Sequence, residues 1–339
     1  MRVFGVYRGA GDQSQVQPPV LRIGWPRPKS GSRNETRHMA MAGAMASALT
    51  ERGVLRIGGA EARSFLQGLV TNNVDRADGT RLVYSALLTP QGKFLFDFFM
   101  AADPADKDAI LLDCDGARTA ELAKRLAMYK LRAKVEIEDR SEAMGVAVFW
   151  HEDGSPMAEG PGLPDPRLAA MGRRAIMAKS EIDGAIAASA TSADEDAWDR
   201  HRISLGIGDA AKDFEPDRTF PLEVNLAELN GIDFQKGCFV GQEVTSRTKR
   251  RGSVRKRLLP VDVEGDMPAH GTPIKGGARE VGTILSTDAE AGRALALVRL
   301  DLIRDSILEA GLSEIRPEIP GWLDIGTGEG KENGAGENE

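Results

Sequence analysis

The chain has 339 residues, 41% apolar and 28% charged, with a formal net charge of −7. That length supports two or three packed units, and the acidic balance argues against general nucleic-acid binding. No run approaches the roughly 20 apolar residues that span a bilayer, and the N-terminus lacks the continuous apolar core of a secretory signal.

Residues 1–46 are rich in Gly, Pro, Gln, Ser and Arg and show no apolar periodicity. They read as a disordered extension, residues 1–47, or as an upstream start before Met39, Met41 or Met45. The alternative is an organellar transit peptide, because the segment is Arg-rich and acid-poor. The first reading implies a bacterial cytoplasmic protein, the second the mitochondrial matrix. Structure is expected to begin with the short strand "GVLRIGG". Next, "AEARSFLQGLV" carries Ala62, Phe65, Leu66 and Leu69 at helical spacing. "RLVYSALLTPQGKFLFDFFMAA" predicts a hairpin turning at Pro90-Gln91-Gly92. "DAILLDCDG" predicts a strand, "ARTAELAKRLAMYKLRA" an amphipathic helix, and "KVEIEDRS" and "MGVAVFW" two further strands. The order β-α-β-β-β-α-β implies an α+β domain with a mixed sheet. "PMAEGPGLPDPRL" reads as an exposed connection and "DEDAWDRHRISLGI" as a helix ending at glycines. "GIGDAAK" has half the spacing of a dinucleotide fingerprint but follows a helix, which removes the mechanism. From Leu258 to Leu300, short apolar runs separated by Gly/Pro turns predict a β-barrel module spanning 251–322. The Gly- and Glu-rich tail, 323–339, is expected to be disordered.

Cys114 and Cys238 are the only cysteines. They make no CxxC pair, which fits a reducing intracellular setting. His38, His151, His201 and His270 are scattered, so no metal site is expected. Cys114 lies in an apolar strand and reads as a small buried hydrophobe. Cys238 is different. Gly237 and Gly241 flank it, a helix can run from Gln242 to about Arg251, and Lys236, Arg247, Lys249, Arg250 and Arg251 surround it. A helix N-terminus and nearby cations favour the thiolate. Burial as a hydrophobe is the competing reading. The run "RTKRRGSVRKR" is a solvated face or linker, or else an anion site for a nucleic-acid backbone or a polycarboxylate tail. Few aromatics interleave with it, so base stacking is poorly supported.

"KGCFVGQE", Lys236–Glu243, resembles the K-G-C-[FY]-x-G-Q-E motif of the YgfZ-type folate-binding proteins. These are relatives of the glycine-cleavage aminomethyltransferase and include mitochondrial iron–sulfur assembly factors. "FLQGLVTNNV", "YSALLTPQGKFLFDFF", "RISLGIGD" and "FPLEVNLAELNGIDF" extend the resemblance in family order over roughly residues 50 to 302. It implies a ring of α+β subdomains, here 48–250, around a central folate channel, closed by the C-terminal barrel. It implies tetrahydrofolate as ligand, iron–sulfur assembly proteins and [4Fe–4S] enzymes as partners, and neither membrane nor nucleic acid. By resemblance Cys238 is the residue most tied to activity. The ligand would be held by residues drawn from Asp97, Glu223, Asn225, Lys236, Gly237, Phe239, Gly241, Gln242, Glu243 and Arg247.

Two positions depart from the transferase. Of two adjacent aspartates there, only Asp97 is retained and Phe96 occupies the other place, and Ser204 stands where the transferase has a pterin-holding carboxylate. Glu223 is either a replacement for that carboxylate or a cap. The expected function is therefore an accessory factor in biogenesis or repair of [4Fe–4S] proteins. The alternative is a folate-dependent one-carbon transferase.

Overall fold

Alternating apolar residues build two five-stranded sheets and one closed barrel. The computed structural model of the protein describes residues 43–252, 254–303 and 307–325. In chain order it begins with β1 (Ala44–Leu49), β2 (Arg52–Gly58), α1 (Ala62–Gln67), β3 (Val83–Leu88) and β4 (Phe94–Asp103). Then come β5 (Asp106–Asp115), α2 (Thr119–Lys130), β6 (Glu136–Asp139), β7 (Met144–His151), β8 (Leu163–Pro164) and β9 (Arg173–Ala178). They are followed by α3 (Lys179–Ser189), β10 (Thr191–Ser192), α4 (Glu195–Ser204), α5 (Ala210–Asp213) and α6 (Gln242–Arg251). The barrel strands are β11 (Lys256–Glu264), β12 (Pro273–Gly276), β13 (Arg279–Asp288), β14 (Arg293–Arg299), β15 (Leu308–Ala310) and β16 (Ser313–Pro317). The class is α+β with a C-terminal barrel, as expected.

The first sheet has the antiparallel order β3-β4-β5-β2-β6. Its strand β4 is buried on both faces. Side chains alternate across a strand, so Phe96, Phe98 and Met100 join Leu66, Leu122 and Leu126 under the helices. Asp97 and Phe99 face the other way. The second sheet runs β10-β1-β7-β9-β8, with α3 packed on one face through Ile182 and Ile186. Its other face shares a core with the first sheet: Trp150 and Val148 meet Leu111, Val54 and Trp198 of α4.

Four details differ from the sequence reading. Strand β1 begins at Ala44, inside the segment taken as an extension, and residues 1–42 lie outside the described residues. Strand β7 belongs to the second sheet, where it pairs with β1 and β9, so the first stretch of the chain feeds two sheets instead of one mixed sheet. The connection before β9 is not wholly exposed, because Asp165 and Arg167 are buried. Packing continues into the tail, where Leu323 is buried against the barrel and Trp322 Nε1 donates to the Leu205 carbonyl at 2.9 Å. Residues 326–339 lie outside the described residues.

Candidate functional site

The two sheets and α4 enclose a cavity of about 300 Å³. Its polar wall is a buried ion network. Asp113 of β5, fully buried, accepts from Arg52 Nε of β2 at 2.6 Å and from Arg174 Nε of β9, so one carboxylate ties the two sheets together. Arg52 Nη2 also donates to the Asp113 carbonyl at 2.9 Å. Arg167 is gripped by both oxygens of Asp165, at 3.0 and 2.8 Å. Phe99 lies under the guanidiniums of Arg174, 4.2 Å from the ring centre, and Arg167, 4.8 Å, distances at which the ring quadrupole attracts a cation. Burial alone would raise the Asp113 carboxyl, but Arg174 and Arg52 overcome it and hold it below the usual range. Burial pushes Arg174 down, with Asp113 opposing and Arg52 and Arg167 adding repulsion. Four guanidiniums, of Arg52, Arg167, Arg174 and Arg202, thus line one cavity, together with Lys212 and the carboxylates of Glu51, Asp97, Asp115, Glu195, Asp199 and Asp209. A ligand that carries both acceptor and donor atoms suits such a lining.

Asp97 sits opposite. Its Oδ2 accepts from Tyr84 Oη at 2.9 Å, leaving Oδ1 for another donor. Burial raises its pKa, Asp209 adds to the effect, and Arg52 opposes it. A carboxyl whose folded pKa is raised contributes stability below its unfolded value of about 3.8, and loses it as pH rises through the folded value. Asp97→Asn, which mimics the neutral form, should therefore stabilise the protein at pH 7, by about 1.5–2 °C per kcal/mol relieved. The gain should vanish as pH falls below about 4. Thermal melts of both proteins at the two pH values check this.

The motif lies elsewhere on the surface, and its residues do different jobs. Lys236 is buried, and its Nζ donates to the carbonyls of Gln67, Val70 and Asn72 at 2.8, 2.6 and 3.0 Å. Burial pushes its pKa down to about 8, with Asp233 and Asp75 opposing. Asp233 fixes the turn before it by accepting from the backbone N–H groups of Gln235 and Lys236. Phe239 is buried in the core beneath, its ring 5.5 Å from Lys236 Nζ. Gly237 and Cys238 stay exposed between these two anchors. The sequence reading set Lys236 beside the thiol as a charge donor; the structure instead commits its ammonium to the 67–72 segment. Gly241 caps α6 at φ +83°, where a Cβ would lie 2.6 Å from the Thr89 carbonyl oxygen, so only glycine fits. Gly237 has no such constraint. Gln242 is half-buried. Glu243 is exposed and faces Arg247 at 3.9 Å. Cys114 is buried, and burial raises its thiol to about 12, as suits an inert core residue.

The structure separates the ligand candidates. Of them, only Asp97 lines the cavity. Glu223 lines a different groove beside α6. Asn225, at φ +61°, donates to the Leu258 carbonyl at 2.7 Å and accepts from Arg257, joining the α+β body to the barrel. Phe96 lies on the opposite face of β4 from Asp97, under Arg118 at 4.1 Å, so a carboxylate there would not have met Asp97 in the cavity. Ser204 Oγ donates to the His201 carbonyl of its own helix. Sequence reasoning missed Arg52, Arg167, Arg174 and Asp113. The available signal was a charged residue inside otherwise buried strands, "ILLDCDG" and "RRAIMA".

Residues 255–325 match the family model for the CAF17 C-terminal beta-barrel domain. The mouse mitochondrial iron–sulfur cluster assembly factor IBA57 is 32% identical over 307 residues, 81% of this chain and 84% of that protein. The chain belongs to the IBA57 family. The human IBA57 is also 32% identical, over 73% of this chain and 76% of its own length. The IBA57 homolog of Mycosarcoma maydis is 37% identical, but the alignment spans about half of that protein, 55%. The glycine cleavage aminomethyltransferase T of Bartonella henselae shares the fold, with TM-score 0.65 at 12% identity over 85% of this chain and 89% of that one. The sequence resemblance joined YgfZ-type proteins with the mitochondrial assembly factors; the mouse, human and Mycosarcoma relatives are of the second kind.

Proposed function

We propose that this chain is an accessory factor in the biogenesis or repair of [4Fe–4S] proteins, and that Cys238 is the thiol through which it works. The observation that carries the reading is the exposed Cys238, held between a buried lysine clamp and a buried phenylalanine. Membership of a family whose named members are iron–sulfur cluster assembly factors supports it. Clusters normally take four protein thiolates, so Cys238 would hold a cluster only together with ligands from another molecule, which fits a transfer role. Mitochondrial names among the relatives favour the organellar reading of residues 1–46.

The ligand we propose for the cavity is the pterin head of a reduced folate. The residues present fit it. Asp97 has an oxygen free to accept from the pterin N–H edge, and Arg52 and Arg174 offer donors to its carbonyl. About 300 Å³ is at the small end of ligand pockets, so the glutamate tail would lie outside it. Bound folate would supply a one-carbon carrier or reductant.

Cells carrying Cys238→Ala in place of the parent should lose most activity of their [4Fe–4S] enzymes while the amounts of those proteins stay level. Asp97→Asn should give a milder defect and weaken tetrahydrofolate binding in calorimetry by about tenfold. Full [4Fe–4S] enzyme activity in the Cys238→Ala cells, or one-carbon transfer by the purified protein that survives Cys238→Ala, overturns the reading.

A further inference from the structure

Beside α6 lies a second cleft of about 280 Å³, separate from the cavity. Its floor is apolar: Phe220, Pro221, Val244 and Val254 line it, and Phe220 is 38% exposed. Its rim is basic. Between Gln242 and Lys256 the sequence holds six cations, Arg247, Lys249, Arg250, Arg251, Arg255 and Lys256, against the single carboxylate Glu243. All six are exposed, in a chain whose net charge is −7. Lys249 pairs with Glu228 at 3.0 Å, and Arg247 stands 3.9 Å from Glu243. Among the described residues Arg250, Arg251 and Arg255 form no salt bridge. Helical spacing puts Arg251 at the edge next to Val244 and Thr248, which face the cleft, and Arg255 lines it directly.

We propose that this cleft is a docking site for an acidic segment of a partner protein. An apolar side chain of that segment seats over Phe220, Val244 and Val254, and its carboxylates meet Arg251 and Arg255. The charge complementarity selects the occupant: a basic rim in which Arg250, Arg251 and Arg255 form no salt bridge among the described residues attracts acidic segments and repels basic ones. The apolar floor selects a protein over a nucleic acid. No aromatic side chain stands on α6, so Phe220 alone could stack on a base where a strand needs a row of such platforms. Glu223, half-buried at one side, confines the partner's carboxylates to the arginine edge. The site lies on the helix that follows the Cys238 loop, and docking itself needs no cluster.

The test is fluorescence anisotropy on the full chain. The probe is a labelled peptide of about a dozen residues, with two leucines on one helical face and glutamates elsewhere. Saturable binding is expected, weakened about tenfold or more by Phe220→Ser, by Arg251→Glu with Arg255→Glu, and by replacing the peptide's leucines with serine. Circular dichroism confirms that the protein variants fold. Absence of saturable binding overturns the proposal. So does binding indifferent to Phe220→Ser or to the peptide's leucines, and so does displacement of the peptide by a uridine oligonucleotide at lower concentration than by unlabelled peptide. The readout uses neither cluster nor folate, so its failure leaves the proposed function standing, and failure of that function leaves this site standing.

Discussion

Lys236→Met should lower the unfolding midpoint by roughly 4–6 °C and open the Cys238 loop to exchange. The side chain is of similar length, so packing is nearly kept, but three carbonyls lose a cationic donor at once. Hydrogen bonds to charged groups contribute about 1.5–3 kcal/mol each. Water reaching the vacated carbonyls recovers part, leaving about 3 kcal/mol, and each kcal/mol moves the midpoint by about 1.5–2 °C in a chain of this size. The local effect is the sharper one. The amides of residues 67–73 and 233–239 should lose protection in hydrogen exchange, while the barrel keeps its own. Lys236→Arg should not rescue, because a planar fork cannot point three N–H groups at three carbonyls gathered round one nitrogen. A methionine variant that melts within about a degree of the parent, with unchanged exchange at 67–73, would show that the clamp does not hold the loop.

That clamp shows where sequence reasoning stopped. The stretch from Lys236 to Glu243 was recognisable as a unit, and α6 runs over the residues expected of it. Its internal division of labour was not legible. Lys236 bonds to carbonyls about 165 positions earlier, at Gln67 and Val70, and no local pattern encodes that. The barrel was legible because its first four strands are separated by turns that hold Gly or Pro; β15 and β16, beyond the Gly/Pro-free run 300–307, were not read from the sequence. The two-sheet body was not. Strands β8 and β10 have two residues each, too few to show alternation, and β1 sits next to a segment without periodicity. The cavity arginines escaped for a similar reason. Arg52 comes from β2, Arg174 from β9 and Arg167 from the connection before β9, and only the fold brings them to one cavity. Alternation along β4 could have separated Phe96 from Asp97 in advance, since neighbours on a strand face opposite sides.

A larger loss of stability is expected from Asp113→Ala. That carboxylate is fully buried and is bound by Arg52 from its own sheet and Arg174 from the other. Removing it leaves two buried guanidiniums facing each other without their shared counter-ion, which typically costs about 3–5 kcal/mol. The folded carboxyl is held below its ordinary value of 3.8 by the arginines. Its contribution is therefore present above that value and lost as pH falls through the folded one. The gap between parent and variant should be widest near neutrality and should narrow in acid, which melts at several pH values would reveal. A flat gap across pH would mean that the loss is packing alone. The informative companion is the triple variant Asp113→Leu with Arg52→Met and Arg174→Met, which removes the whole buried triad. Apolar replacement of a complete buried ion set is often neutral or stabilising, so the triple variant should regain much of the midpoint lost by Asp113→Ala. It should nevertheless bind tetrahydrofolate far more weakly, because Arg52 and Arg174 are two of the four guanidiniums lining the cavity. Recovery of stability without recovery of binding would mean that the charges at the joint between the two sheets serve the ligand. Recovery of both would remove the arginine wall from the site.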